Sequence, residues 1–257
     1  MSRLAARWSR SVPALREASL RVAYLRAELE GRPLIEVAGA LDELSGRAEQ
    51  ADPVAREVLG AAITVLADPA RADLVDALRA LAEHEAWLPL ARLIRRRARA
   101  GDAASPPVDE RKLATGTAGR VLTLGERRAL ARRPSRAAFD KLLRDPHPMV
   151  VQNLLANPRL TEDDVIRMVA RRPAYPAVVG EVARHPRWSS AARVRMAIVQ
   201  NPGTPPELAV PLVRLLIRPE LHQVLAAADV HPLVRAAAGE LLERRPPVPE
   251  HREGEPQ

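Results

Sequence analysis

The 257-residue sequence contains no cysteine, only 2% aromatic residues and only two lysines. The absence of cysteine excludes disulfides, thiolate-bound metals, iron–sulfur clusters and cysteine nucleophiles. Few aromatic residues disfavour a β-sandwich or barrel, whereas abundant Ala, Leu, Arg and Glu favour helix. The longest uncharged, mostly apolar stretch, Val58–Ala67, is too short to span a bilayer, and the start of the chain lacks the apolar core of a secretory signal. We therefore expect an all-α, cytoplasmic protein.

Positive charge is concentrated in the middle of the chain. Residues 1–104 carry 16 basic and 15 acidic side chains, residues 111–200 carry 18 and 7, and residues 203–257 carry 6 and 8. A segment this positive is suited to a polyanion or to an acidic protein surface. The alternative is a solvated arginine-rich surface without a partner.

The first half of the chain is predicted to form a helical bundle over residues 1–100. Ser11 is an expected N-cap before Pro13, with a helix running to Gly31, and a second helix is expected over Leu34–Ala48. Asp-Pro pairs at 52–53 and 68–69 predict the starts of two more helices, and a fifth is expected from Trp87 to Arg99. Residues 101–119 are predicted to form a linker, because 101–107 show no periodicity.

The second half carries prolines at intervals of 12 to 16 residues, which indicates repeats of about 24 to 29 residues. The boundaries fall at Arg133-Pro134, Asp145-Pro146, Asn157-Pro158, Arg172-Pro173, His185-Pro186 and Asn201-Pro202. Capping boxes are expected at Thr161 and Thr204. Each helix between prolines is too short to be stable alone, so neighbouring units must stack. Residues 246–257, rich in Pro and Glu, are predicted to be a disordered tail.

The segment Arg193–Leu208, which contains V-R-M-A-I-V-Q-N-P-G-T-P, resembles the leucine-rich repeat variant, a family related in style to HEAT-type α-solenoids. The resemblance covers residues 120–245 and implies alternating helices stacked into a right-handed superhelix. Arg133 and Arg172 stand where the family's turn has Asn, so those units depart from the pattern. Some members bind an iron–sulfur cluster through cysteines, and this chain has none. The resemblance therefore implies a fold rather than a function.

Side chains that suggest chemistry have structural explanations. His84 has no second histidine at helical spacing, and His147 and His231 occupy equivalent turns beside proline. The carboxylates of Asp163 and Asp164 suit the first turn of a helix. Ser189 and Ser190 suit an N-cap. We therefore predict a non-enzymatic protein with no cofactor and no metal site.

The arginines are the candidate binding residues. Arg-Arg pairs precede boundary prolines in successive units, which indicates a basic ridge along one edge of the array. The six candidates are Arg132, Arg133, Arg171, Arg172, Arg193 and Arg195. We expect an interaction scaffold that holds an acidic protein surface by bidentate contacts to carboxylates. The alternative is sequence-independent nucleic-acid binding by phosphate contacts. A more remote alternative is a HEAT-like DNA glycosylase. Its site would need an aromatic and an acidic residue, and the best candidates for these are Trp188 with Asp163 or Asp164.

Overall fold

The prediction of an all-α protein is confirmed. A computed structural model describes residues 2–95, 105–109, 111, 113–116, 119–132 and 136–245, and within these ranges the only β pairing is an isolated bridge between Thr115 and Val121. The first six helices are α1 (Arg3–Ala14), α2 (Ala18–Gly31), α3 (Leu34–Glu49), α4 (Pro53–Leu66), α5 (Ala72–His84) and α6 (Leu88–Leu93). A 3₁₀ turn, Pro69–Arg71, precedes α5.

The second half begins with the helices α7 (Leu124–Arg132), α8 (Arg136–Leu142), α9 (Pro148–Leu155), α10 (Glu162–Val169) and α11 (Pro176–Arg184). It continues with α12 (Pro186–Ser189), α13 (Ala192–Gln200), α14 (Pro206–Val213), α15 (Arg218–Ala226) and α16 (Pro232–Arg244). The predicted end of the fifth helix at Arg99 is wrong, because α6 already ends at Leu93 and Ile94 leaves the helical conformation. The predicted tail and residues 101–104 of the predicted linker lie outside the described residues.

The predicted helix start at Ser11 is wrong. Ser2 is the N-cap, and its hydroxyl accepts a hydrogen bond from the amide of Ala5 at 3.1 Å. The helix that follows contains Pro13 in its last turn, and α2 begins separately at Ala18. Burial explains the earlier start, because Trp8 is fully buried and its indole N–H donates to the Glu28 carboxylate at 3.1 Å. Tertiary packing of one face thus outweighs the local signal at Ser11.

Several predicted helix starts are confirmed. Asp52 caps α4 by accepting from the amides of Val54 and Ala55, and Asp68 caps the 3₁₀ turn. Thr161 and Asp164 form the reciprocal capping box at the start of α10. These starts depend on side-chain to backbone contacts only two or three residues apart, so the local sequence is sufficient to encode them.

Two predicted caps are wrong. The Thr204 hydroxyl donates back to the carbonyl of Ile198 at 2.6 Å, and Pro205 precedes the first residue of α14. The Ser190 hydroxyl likewise donates to the carbonyl of Arg187 at 2.8 Å, while Ala191 is the N-cap of α13. Both hydroxyls satisfy carbonyls of the preceding turn instead of amides of the following helix.

The two halves of the chain pack against each other. Helix α4 contacts α11, α12 and α14, and α12 also contacts α2. Between them the hydroxyls of Thr64 and Ser189 lie 2.9 Å apart. At the end of α3 the buried carboxylate of Glu49 accepts from Arg92 of α6 at 2.8 Å and from Arg214, which follows α14, at 3.1 Å. A buried ion pair therefore joins the halves.

Candidate binding surface and cavities

Two buried asparagine amides each connect two helices of the second half that are not neighbours in sequence. Asn157, after α9, donates to the carbonyls of Ala131 and Arg132 at 3.0 and 3.1 Å. Asn201, after α13, donates in the same way to the carbonyl of Arg171, at 2.9 Å, and to one in the last turn of α10. Each amide satisfies carbonyls that a helix end leaves unpaired. Arg132 and Arg171 consequently occupy equivalent positions at the ends of two helices.

The side chains of Arg132 and Arg171 keep their positive charge available. Arg132 is exposed and donates at 3.2 Å to the amide oxygen of Asn153, which is neutral. Arg171 is half-buried beside Arg144, and neither guanidinium has a hydrogen-bond or ion-pair partner among the described residues. Burial and the neighbouring Arg144 charge both lower the pKa of Arg171. The charge of Arg144 therefore acts on Arg171, and neither side chain is paired with a carboxylate among the described residues.

The other predicted ridge residues have different surroundings. Arg172 forms an ion pair with Asp229, and Arg193 forms one with Asp163 at 3.0 Å, all four side chains being largely exposed. Arg195 makes contacts of a different kind. It donates to the carbonyl of Ser190 at 2.8 Å and lines a cavity between the halves. Arg133 lies outside the described residues. The described ridge residues without a carboxylate partner or a place in the cavity are therefore Arg132 and Arg171, and together with Arg144, which was not predicted, we call them the basic edge.

Trp188 and Asp164, which were considered for a glycosylase site, make structural contacts instead. Trp188 is 3% exposed and its indole N–H donates to the carbonyl of Leu155 at 3.0 Å. Asp164 is fully buried and accepts from Arg136 at 2.7 Å. Burial alone raises the pKa of Asp164, but hydrogen bonds from Arg136, Thr161 and Arg167 outweigh it and hold that pKa far below its usual range. These groups stabilise helix ends and contacts between helices.

The histidines at the two proline turns act as helix caps. The Nδ1 atoms of His147 and His231 each accept a hydrogen bond, at 3.2 Å, from the amide two residues later. They are therefore the N-caps of α9 and α16, as their equivalent turn positions indicated. His84 is exposed and contacts only its neighbour Glu85. In the described ranges no group of three or more His, Cys, Asp or Glu is arranged to hold a metal ion.

Two cavities lie between the halves of the chain, and the sequence analysis found neither. The larger, of about 720 Å³, is an apolar groove lined mainly by residues of α4, α5, α11 and α14, with the ion pair of Arg184 and Glu181 at its wall. The smaller, of about 350 Å³, is lined by residues of α2, α4, α12 and α13 and of the start of α15. No local pattern marks either cavity, because each is formed by helices that are distant in sequence.

Comparison with protein-family models, with curated proteins and with solved structures found no match. None of the helices in the described ranges combines the length and the apolar character that crossing a membrane requires. The function must therefore be inferred from the surfaces of this chain alone.

Proposed function

We propose that this protein is a non-catalytic interaction scaffold whose basic edge binds an acidic segment of a protein partner. The observation that carries the proposal is that the side chains of Arg132, Arg144 and Arg171 have no carboxylate partner among the described residues, while the charge of Arg144 acts on Arg171. Bringing like charges together costs free energy unless an anion neutralises them. Guanidinium groups bind carboxylates through two parallel hydrogen bonds, so a Glu- or Asp-rich segment is a suitable partner.

The proposal includes an α-solenoid of the leucine-rich-repeat-variant kind over residues 120–245. Supporting it, α7, α9, α11, α13 and α15 each contact the next helix of that series. The amides of Asn157 and Asn201 add an equivalent clamp at the Asn-Pro turn of two units. A stack of this kind places equivalent positions, such as Arg132 and Arg171, along one edge.

A protein partner is favoured over single-stranded nucleic acid by the state of the aromatic residues. Binding of unpaired bases depends on exposed aromatic rings for stacking. Phe139 and Trp188 are 1% and 3% exposed, and the guanidinium groups of Arg136 and Arg187 cover their rings at 5.0 and 4.2 Å. Neither ring is available to a base. Duplex DNA can also be bound through its phosphates alone, without aromatic stacking. The experiment must therefore distinguish binding of a duplex from binding of an acidic peptide.

The experiment measures fluorescence anisotropy of two probes, a labelled ten-residue glutamate-rich peptide and a labelled 20-base-pair DNA duplex. We expect the full-length protein to bind the peptide, with affinity falling between about 50 and 200 mM salt as exposed charges are screened. Arg144→Gln/Arg171→Gln should weaken peptide binding by about 3- to 30-fold, because each exposed charge contact contributes about 0.3–1 kcal/mol.

The matched control is Arg10→Gln/Arg26→Gln, which removes the same charge from two exposed arginines that have no partner among the described residues. This control should bind the peptide as the wild type does. Equal weakening by both double variants would mean that net charge, not the basic edge, attracts the peptide. Tighter binding of the duplex than of the peptide would overturn the choice of an acidic protein and favour phosphate contacts.

A further inference from the structure

The 350 Å³ cavity between the halves has more positive charge than the chain itself neutralises. Arg21, Arg56 and Arg195 line it together with two carboxylates, Glu57 and Glu220. Arg21 is accounted for, since it donates to Glu57 at 2.6 Å and to the carbonyl of Leu15 at 2.7 Å. That pair leaves Glu220 as the carboxylate facing the remaining arginines of the lining.

Arg56 and Arg195 have unused hydrogen-bond donors in the cavity. Arg195 donates to backbone carbonyls through one terminal nitrogen, but its buried Nε–H has no acceptor. Arg56 is half-buried, and its guanidinium group has no hydrogen bond or ion pair with any described residue. A buried N–H without an acceptor is rare in folded proteins and indicates a partner such as an ion. Glu220 is partly engaged, because it accepts from the amide of Ile217 at 2.8 Å.

A further arginine, Arg245, is not part of the cavity lining but adds to this positive charge. Arg245 is 6% exposed, and its Nε–H and one terminal nitrogen have no acceptor. Burial, followed by the charges of Arg56 and Arg218, lowers the pKa of Arg245 to about 10, while Glu220 acts in the opposite direction. Burial lowers the pKa of Arg195 as well, and Arg56 adds to this effect, while Glu220 opposes it. Arg195 and Arg245 both interact with Arg56, and Glu220 is the carboxylate that acts on both of them.

We propose that this cavity is a binding site for a phosphate dianion, held between Arg56 and Arg195, either as free phosphate or as the phosphate group of a small organic molecule. A dianion matches this excess of charge better than a single carboxylate does, and its oxygens accept from several N–H groups at once. The remaining lining includes Val22, Ala61 and Leu215, which suit the carbon part of an organic phosphate. This site is separate from the basic edge and goes beyond the proposed function.

The test uses the full chain and three probes: inorganic phosphate, phenyl phosphate and benzoate, each compared with sodium chloride at equal ionic strength. Thermal unfolding and titration calorimetry are measured for the wild type, for Arg56→Gln and for Arg26→Gln, an exposed control on α2. A probe present at 100 times its Kd should raise the Tm by about 5–10 °C. Phosphate also stabilises proteins non-specifically, so the comparison between variants carries the result.

We expect inorganic phosphate or phenyl phosphate, but not benzoate, to bind the wild type and Arg26→Gln, and Arg56→Gln to bind about 10- to 100-fold more weakly. Tighter binding of phenyl phosphate than of inorganic phosphate assigns the site to an organic phosphate, and the reverse order assigns it to the free ion. Without ligand, Arg56→Gln should melt at or above the wild-type temperature, because the substitution removes an unopposed charge. Equal responses of the wild type and Arg56→Gln, an equal response to benzoate, or no response in the wild type would overturn the proposal.

Discussion

Replacing Glu49 by glutamine tests whether the buried ion pair holds the two halves of the chain together. Glu49 is 4% exposed and Arg214 is 1% exposed, and the two residues are 165 positions apart in sequence. Arg214 has no acceptor for its Nε–H or for its other terminal nitrogen, so Glu49 is the carboxylate that compensates its charge. Burial lowers the pKa of Arg214 to about 10 in spite of the opposing effect of Glu49.

The expected magnitude follows from the burial of Arg214. Removing one partner of a buried ion pair costs about 3–5 kcal/mol, because the other charge is left uncompensated in a low-dielectric interior. Glutamine keeps one oxygen that can accept a hydrogen bond, so we expect a loss near the lower limit, about 3 kcal/mol. At a urea m-value of about 2–3 kcal/mol/M, the unfolding midpoint should fall by about 1–1.5 M.

The assay is urea unfolding followed by far-UV circular dichroism, with Glu30→Gln as the matched control. Glu30 pairs with Arg71, but its side chain is 55% exposed, so its loss should cost no more than about 1 kcal/mol. The double variant Glu49→Gln/Arg214→Met should recover part of the lost stability, because it removes the charge of Arg214, while Arg92, the other partner of Glu49, stays without its carboxylate. If Glu49→Gln shifts the midpoint no more than Glu30→Gln does, the ion pair contributes nothing to the packing of the halves.

Two further variants test contacts between helices of the second half. Asn201→Ala should lower the free energy of unfolding by about 1–3 kcal/mol, because two carbonyls at a helix end lose their donor. Asn153→Ala should cost less, because the bonds of its side chain to Met149 and Arg132 are exposed and water can replace them; urea unfolding measures both, and equal losses would refute the clamp. Asp164 has a pKa far below that of an unfolded aspartate, so its stabilisation is present above about pH 4 and is lost as the pH falls. Asp164→Asn should therefore be less stable than the wild type at pH 7 and lose less stability on acidification, while the exposed Asp163→Asn should follow the wild-type pH profile; matching profiles for all three would refute this assignment.

The surroundings of the candidate arginines were only partly predictable from sequence. Arg-Arg pairs before proline drew attention to Arg132 and Arg171, and in the structure the carbonyl of each accepts a hydrogen bond from an asparagine amide. The sequence analysis did not anticipate that Asp229 and Asp163 neutralise Arg172 and Arg193. It also missed Arg144, whose importance comes only from its place beside Arg171. Counter-charges are set by distances in space, which a local pattern does not contain.

Local sequence is sufficient for the helical class and for those helix starts that depend on neighbouring residues. Asp52 before Pro53 and the Thr161–Asp164 box are local, so a few residues suffice to specify them. Tertiary packing is required for the start of α1, for the partner of Glu49 and for both cavities. These features depend on which distant surfaces are buried together, and burial sets the free energy of a charge or an apolar side chain.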